Sequence, residues 1–149
     1  MPDILLIEDN PRDAELTQRA LKTSSLTYTL YWVKDGVQAF DFLFGPGHPA
    51  EAKPLHRPKV ILMDLKLPKI NGLEVLRRIK TDPAARTIPV VVLTSSREKQ
   101  DINTCYELGV NSYIVKPVDF DQFSVAIAQM GRYWLSVNQP PETQQTPAA

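Results

Sequence analysis

Short apolar runs alternate along this chain with stretches of helical period, and that alternation limits the fold more than any other feature. Apolar or mixed runs near residues 3–8, 28–33, 60–64, 89–94 and 112–116 read as five strands. Helical spacing fills the gaps near 11–23, 36–44, 72–81, 98–108 and 119–136. A strand followed by a helix, five times over, is the pattern of repeated βαβ units and predicts a parallel sheet with helices on both faces. Three of the strands are near-continuous apolar runs, as expected where both sheet faces are covered. The second differs: Tyr28-Thr29-Leu30-Tyr31-Trp32-Val33 mixes polar and aromatic side chains, which predicts a sheet edge.

The third helix is the clearest. Val75, Leu76 and Ile79 share a face, while Glu74, Arg77, Arg78 and Lys80 lie elsewhere. Asn71-Gly72 can open it, and Asp82-Pro83 closes it because the residue before proline is disfavoured in α geometry. Val37, Phe40, Leu43 and Phe44 give the second helix a similar stripe.

With 149 residues the chain has room for one ordinary domain, read as residues 1–137. Residues 45–58 hold four prolines and two glycines and read as a surface insertion. Residues 138–149, rich in proline and glutamine, read as a disordered tail, which leaves no room for a DNA-binding output domain. Seventeen basic residues balance seventeen acidic ones, against nucleic acid or membrane binding as the main activity. The lone Cys105 excludes an internal disulfide and reads as buried and inert. The amino terminus has no basic, apolar and small-residue leader pattern, so a cytoplasmic location is expected. His48 and His56, in the insertion, read as exposed loop residues.

The chemistry lies at the strand ends. In an all-parallel sheet the carboxyl ends of the strands meet on one edge, where open α/β sheets bind ligands. Glu8-Asp9, Asp64, Thr94 and Lys116 all fall there. Each has a plainer reading: Glu8 or Asp9 could cap the first helix, Thr94 could cap the fourth, Asp64 could be a turn residue and Lys116 could be exposed. Together they form the set that metal-assisted phosphoryl transfer needs. Two carboxylates about 5 Å apart repel by roughly 3 kcal/mol at an effective dielectric near 20, and a divalent cation removes that cost. Oxygen ligands select Mg²⁺ or Mn²⁺. Asp64 could then act as the nucleophile, with Lys116 and Thr94 stabilising the phosphoryl oxygens.

On these residues the chain resembles the receiver domain of two-component response regulators over residues 3 to about 130. Glu8-Asp9 is similar to the family's metal-binding acidic pair, Asp64 to its phosphoacceptor, Thr94 to its hydroxyl switch residue, and Lys116-Pro117 to its lysine followed by a cis proline. The loop from Met63 to Gly72 is similar to the one after the phosphorylation site. The resemblance implies a flavodoxin-like five-stranded sheet of order 2-1-3-4-5, Tyr113 as the aromatic switch residue, and Lys66 as the residue whose backbone carbonyl binds the metal. It also implies a signalling domain rather than a turnover enzyme, with a face of helix four, strand five and helix five that changes shape on phosphorylation. Ser96, two residues after Thr94, is a position from which a side chain could screen or admit water.

A narrower resemblance rests on Glu8-Asp9-Asn10-Pro11-Arg12-Asp13, the proline-rich insertion and Tyr133-Trp134-Leu135. These look like the single-domain regulators paired with cyanobacterial phytochrome-type histidine kinases, which implies such a kinase as partner and a homodimer through the same face. On helix five, Phe123, Ala126, Ile127, Met130 and Trp134 read as core, with Tyr133, Leu135 and Val137 left over. The competing reading is a receiver-fold scaffold that works without phosphorylation, against which the intact acidic pair, Asp64, Thr94 and Lys116 count. An aspartate-nucleophile phosphatase of another fold would need a second carboxylate where Lys66 stands, and a flavin carrier would need a phosphate-binding loop where Glu8-Asp9 stands.

Overall fold

The computed structural model describes residues 2–46 and 56–141. Five strands alternate with five helices: β1 (Ile4–Ile7), α1 (Pro11–Lys22), β2 (Leu30–Val33), α2 (Gly36–Phe44), β3 (Val60–Met63), α3 (Gly72–Thr81), β4 (Val90–Thr94), α4 (Lys99–Leu108), β5 (Ser112–Val115) and α5 (Phe120–Arg132). All pairings are parallel, in the order β2-β1-β3-β4-β5. The flavodoxin-like topology and the edge position of β2 therefore hold.

Because successive strand residues point to opposite faces, each inner strand feeds two cores. Leu5, Ile7, Ile61, Met63, Val90 and Val92 pack against α2, α3 and α4 through Leu43, Val75, Leu76 and Cys105. Ile4, Leu6, Val60, Leu62, Val91 and Leu93 pack under α1 and α5 through Ala14, Leu21, Phe123 and Ile127. The edge strand β2 leaves Tyr31 half exposed, stacked on Phe42 at 4.9 Å between ring centroids.

Local signals set where the helices start. The side chains of Asn10, Asp35, Asn71 and Asp119 accept backbone N–H groups in the first turns of α1, α2, α3 and α5. The cap readings of Glu8, Asp9 and Thr94 are thus displaced: Asn10 caps α1, and α4 begins after Glu98 with no side-chain cap. Gly72 lets the start of α3 seat against the strand-end loop. A Cβ there would lie 2.6 Å from the Leu65 Cα and 2.7 Å from the Asp64 carbonyl oxygen.

Four expectations change. Helix α5 stops at Arg132 and continues as a π-helix over Tyr133–Val137, closed by the Asn138 N–H on the Tyr133 carbonyl at 2.7 Å. There both Trp134 and Leu135 pack on the core, so Leu135 is not left over, whereas Tyr133 and Val137 remain exposed. His56 is half-buried, its ring 4.5 Å from that of Phe42, because stacking removes apolar ring surface from water. Among the described residues no peptide bond is cis, so Lys116-Pro117 is trans, the isomer an X–Pro bond ordinarily favours. Most of the 45–58 insertion, including His48, and the tail from residue 142 lie outside the described residues.

Candidate functional site

Residue pairing across the sheet delivers the site. Ile7 pairs with Met63, so Glu8 and Asp64 leave β1 and β3 side by side, and the Asp64 N–H donates to the Ile7 carbonyl at 3.1 Å. From β5, one step past its pairing with Thr94, Lys116 reaches across this edge. Its ammonium donates to Glu8 Oε1 at 2.8 Å, Asp64 Oδ2 at 3.0 Å and Asp13 Oδ2 at 3.1 Å. An ammonium has three donors and no acceptor, so all three are committed.

The electrostatics follow from burial. Glu8 is 2% exposed, and desolvation drives its carboxyl up to about 7 against the opposing pull of Lys116. Burial by itself would depress Lys116, but the hydrogen bonds and charges of Glu8 and Asp64 outweigh it and hold the ammonium above the ordinary lysine value. The lysine stays charged, and the carboxylate that gains least from water is the strained partner. The Asn10 N–H on Glu8 Oε2 and the Trp32 indole N–H on the Glu8 carbonyl, at 3.2 and 2.7 Å, fix this residue's place.

Asp64 shares its other oxygen, Oδ1, with the Lys66 N–H at 3.1 Å. The Lys66 side chain points into solvent, and no hydrogen bond among the described residues reaches its carbonyl. Thr94 is fully buried at the end of β4, and its Oγ1 accepts the Ser96 N–H at 3.4 Å rather than touching Asp64 or Lys116. Ser96 joins this strand end to β5 and to α4: its carbonyl accepts the Tyr113 hydroxyl at 3.0 Å, and its own hydroxyl donates to Asp101 in the first turn of α4 at 2.6 Å. Tyr113 packs partly against the α4-side core.

The structure therefore gathers Glu8, Asp64 and Lys116, sets Thr94 at the end of β4 and Tyr113 within β5 beside the Ser96 loop, and leaves Asp9 exposed with no side-chain hydrogen bond or ion pair among the described residues. It adds Asp13, Trp32 and Asp101, which the sequence reading did not place in the site. Asp13 sits at the third position of α1, where an acid reads as favourable to the helix dipole, and that reading hides its reach to Lys116. A cavity of about 350 Å³ opens beside it, lined by Arg12, Leu16, Lys116, Pro117 and Phe120 among others.

Among the described residues no three carboxylates, histidines or cysteines close into a metal cage. The donor set still suits a hard divalent cation. Two carboxylates share one nitrogen within 3.0 Å, a third stands exposed next in sequence, and the Lys66 carbonyl is unclaimed. Mg²⁺ takes few protein oxygens and keeps several waters, so a half-open set of this kind fits it.

Comparison with known proteins agrees with this geometry. Residues 4–128 match the response regulator receiver domain. Response regulator Rcp1 of Synechocystis sp. is 40% identical over 146 residues, 98% of this chain and 93% of Rcp1. The probable methanogenesis regulatory protein FilR2 of Methanothrix harundinacea is 40% identical over 138 residues, 93% of this chain and 86% of FilR2. Among solved structures, the phosphorylated cyanobacterial phytochrome response regulator RcpA superposes with a TM-score of 0.84 at 40% identity, over 95% of this chain and 99% of that one. The Mn²⁺-bound form of Rcp1 superposes at 0.83 and 38% identity, with the same coverage. A parallel sheet of this order, an acidic pair after β1, an aspartate after β3 and a lysine after β5, matched over nearly the whole chain, make this protein a member of the response regulator receiver domain family.

Proposed function

We propose that the protein is a phosphorylation-dependent signalling switch in which Asp64 accepts a phosphoryl group from a histidine kinase. The observation that carries this reading is the single ammonium of Lys116 held within 3.0 Å of both Asp64 and Glu8. Glu8, Asp9, Asp64 and the Lys66 carbonyl would hold Mg²⁺ or Mn²⁺, the latter being the ion bound in Rcp1. The cation supplies charge neutralisation for the transferring phosphoryl oxygens.

In the transfer, an Asp64 carboxylate oxygen attacks phosphorus, the bond from phosphorus to the donor's imidazole nitrogen breaks, and the imidazole leaves with that electron pair and takes up a proton. The Lys66 N–H on Oδ1 and the Lys116 ammonium on Oδ2 hold the carboxylate in a fixed orientation for attack. Lys116 then neutralises the product's charge. The Thr94 hydroxyl lies at the adjoining strand end, where it accepts a weak 3.4 Å bond from the Ser96 N–H, and its own O–H turns to donate to a phosphoryl oxygen. Ser96 carries that change to Tyr113 and, through Asp101, to α4. A local charge thus biases a hydrogen-bonded loop that has two arrangements.

The kinase partner is read as phytochrome-type, supported by the likeness to Rcp1 and RcpA. The equal identity to FilR2 makes this the first point to test by pairing with candidate kinases. The receiver unit is read as residues 1–137 with residues 138–149 as a tail, in the cytoplasm. No helix among the described residues is long and apolar enough to cross a membrane. Self-association is read through α4, β5 and α5, where Tyr106 and Val125 are exposed.

Incubation with Mg²⁺ and acetyl phosphate, followed by intact mass, should add one phosphoryl group to the wild type and none to Asp64→Asn. A wild type that takes up no phosphoryl group under conditions that label other receiver domains would leave the scaffold reading in its place.

A further inference from the structure

We propose that Asp13 is a positioning residue that restrains Lys116 in the unphosphorylated protein and must release it when Asp64 becomes phosphorylated. The inference rests on Asp64 being the phosphoacceptor.

The supply of N–H donors limits what Lys116 can hold. Lys116 has three N–H donors, and Glu8, Asp13 and Asp64 take all of them at 2.8, 3.1 and 3.0 Å. A phosphoryl oxygen on Asp64 inherits the donor that Asp64 Oδ2 now takes, and a second phosphoryl oxygen needs one of the other two. The Glu8 side chain is 3% exposed and the Asp64 side chain 11%, so neither can exchange the ammonium for water. Asp13 is 37% exposed and makes the longest of the three contacts. Its carboxylate can turn into water at small cost, since exposed ion pairs contribute little. Phosphorylation also replaces the single negative charge of Asp64 with one of about −1.5 to −2, a net gain of about −0.5 to −1 at the same edge, and that gain repels Asp13.

Helix α1 does not depend on this carboxylate for its cap. Asn10 Oδ1 accepts the Arg12 and Asp13 N–H groups at 2.9 and 3.2 Å whichever way the Asp13 side chain points. The contact to Lys116 is therefore separable from the integrity of the helix. Asp13 also lines the cavity between α1 and the segment after β5, together with Arg12, Leu16, Pro117 and Phe120. Its release places a free carboxylate on that wall, so the surface beside the site changes charge when Asp64 does.

Beryllofluoride with Mg²⁺, a stable analogue of the aspartyl phosphate, provides the test by isothermal calorimetry. Freed of its competitor, Lys116 in Asp13→Asn should bind the analogue about fivefold more tightly than in the wild type. Asp13→Glu, which keeps the charge, should return towards the wild-type affinity, and Asp13→Asn should have no effect in a Lys116→Gln background. A merely structural role would reproduce neither the rescue nor the dependence on Lys116. Asp13→Ala serves as the second neutral variant if Asp13→Asn does not fold. If the wild type binds the analogue and neutral variants bind it equally or more weakly, the assignment of Asp13 is overturned. If the wild type neither binds it nor takes up a phosphoryl group, the phosphoacceptor reading falls, and this one with it.

Discussion

Glu8 is a carboxylate that folding has removed from water, and its company only partly compensates. Burial raises its value from 4.5 to about 7, so between those values the folded protein holds a proton that the unfolded chain releases. A group raised in this way contributes stability that is fully present below about pH 4.5 and is lost as the pH rises through about 7. Denaturant unfolding in EDTA should therefore show the wild type losing ~1–3 kcal/mol between pH 4.5 and pH 8 relative to Glu8→Gln. Mg²⁺ added at pH 8 should recover part of it, and parallel pH profiles for the two proteins would refute the argument. The sequence located this residue, Asp64 and Lys116 because each terminates an apolar run, and parallel strands must bring such ends to one edge. It did not show that Asp13 joins them while Asp9 stands apart. Which of two acids four residues apart faces a lysine from β5 depends on how α1 leaves the edge, and strand endings carry no information about that.

Elements hold these residues by close backbone contact as much as by side-chain packing. Where α3 begins, Gly72 sits so near the Asp64-Leu65 backbone that a Cβ would meet three backbone atoms at 2.6 to 2.8 Å. Backbone cannot rotate out of the way, so Gly72→Ala must push α3 and the strand-end loop apart. Its cost should be roughly 2–3 kcal/mol, with slower uptake of phosphoryl groups at Asp64. Gly109 makes the comparison: it ends α4 at a φ of 99°, with only ordinary contacts from Lys80 in the space a Cβ would fill. Gly109→Ala should cost about 1 kcal/mol for backbone conformation and leave labelling unchanged. Equal labelling of both variants would remove the link drawn between Gly72 and the geometry of Asp64. Strand and helix placement was legible from apolar periodicity, and the N-cap at Asn71 and the stop at Asp82-Pro83 were readable directly. The π-helix after Arg132 was not. It depends on Trp134 and Leu135, neighbours in sequence, both finding the same core, which is a tertiary demand with no periodic signature.

For the whole molecule, what the sheet covers matters less than what it leaves bare. The α5 positions facing the sheet, Phe123, Ile127 and Met130, are buried, while Val125 is 56% exposed, and a shallow depression lined by Gln122, Val125, Ala126 and Gln129 lies along the helix. On α4, Tyr106 is 54% exposed. Single exposed apolar residues are ordinary, but two on helices that flank the edge strand β5 from opposite faces of the sheet offer a second copy an apolar centre with a polar rim. An isologous contact uses the same patch on both copies, so that one substitution acts twice. Val125→Glu should then put two like charges at the centre of such an interface, and sedimentation should show it monomeric at concentrations where the wild type self-associates. Its Asp64 should still accept a phosphoryl group, because none of the contacts to Glu8, Asp13, Asp64 or Lys116 involves Val125. A wild type that sediments as a monomer both with and without the phosphoryl group would exclude this face as a self-association surface and leave it free for a different protein.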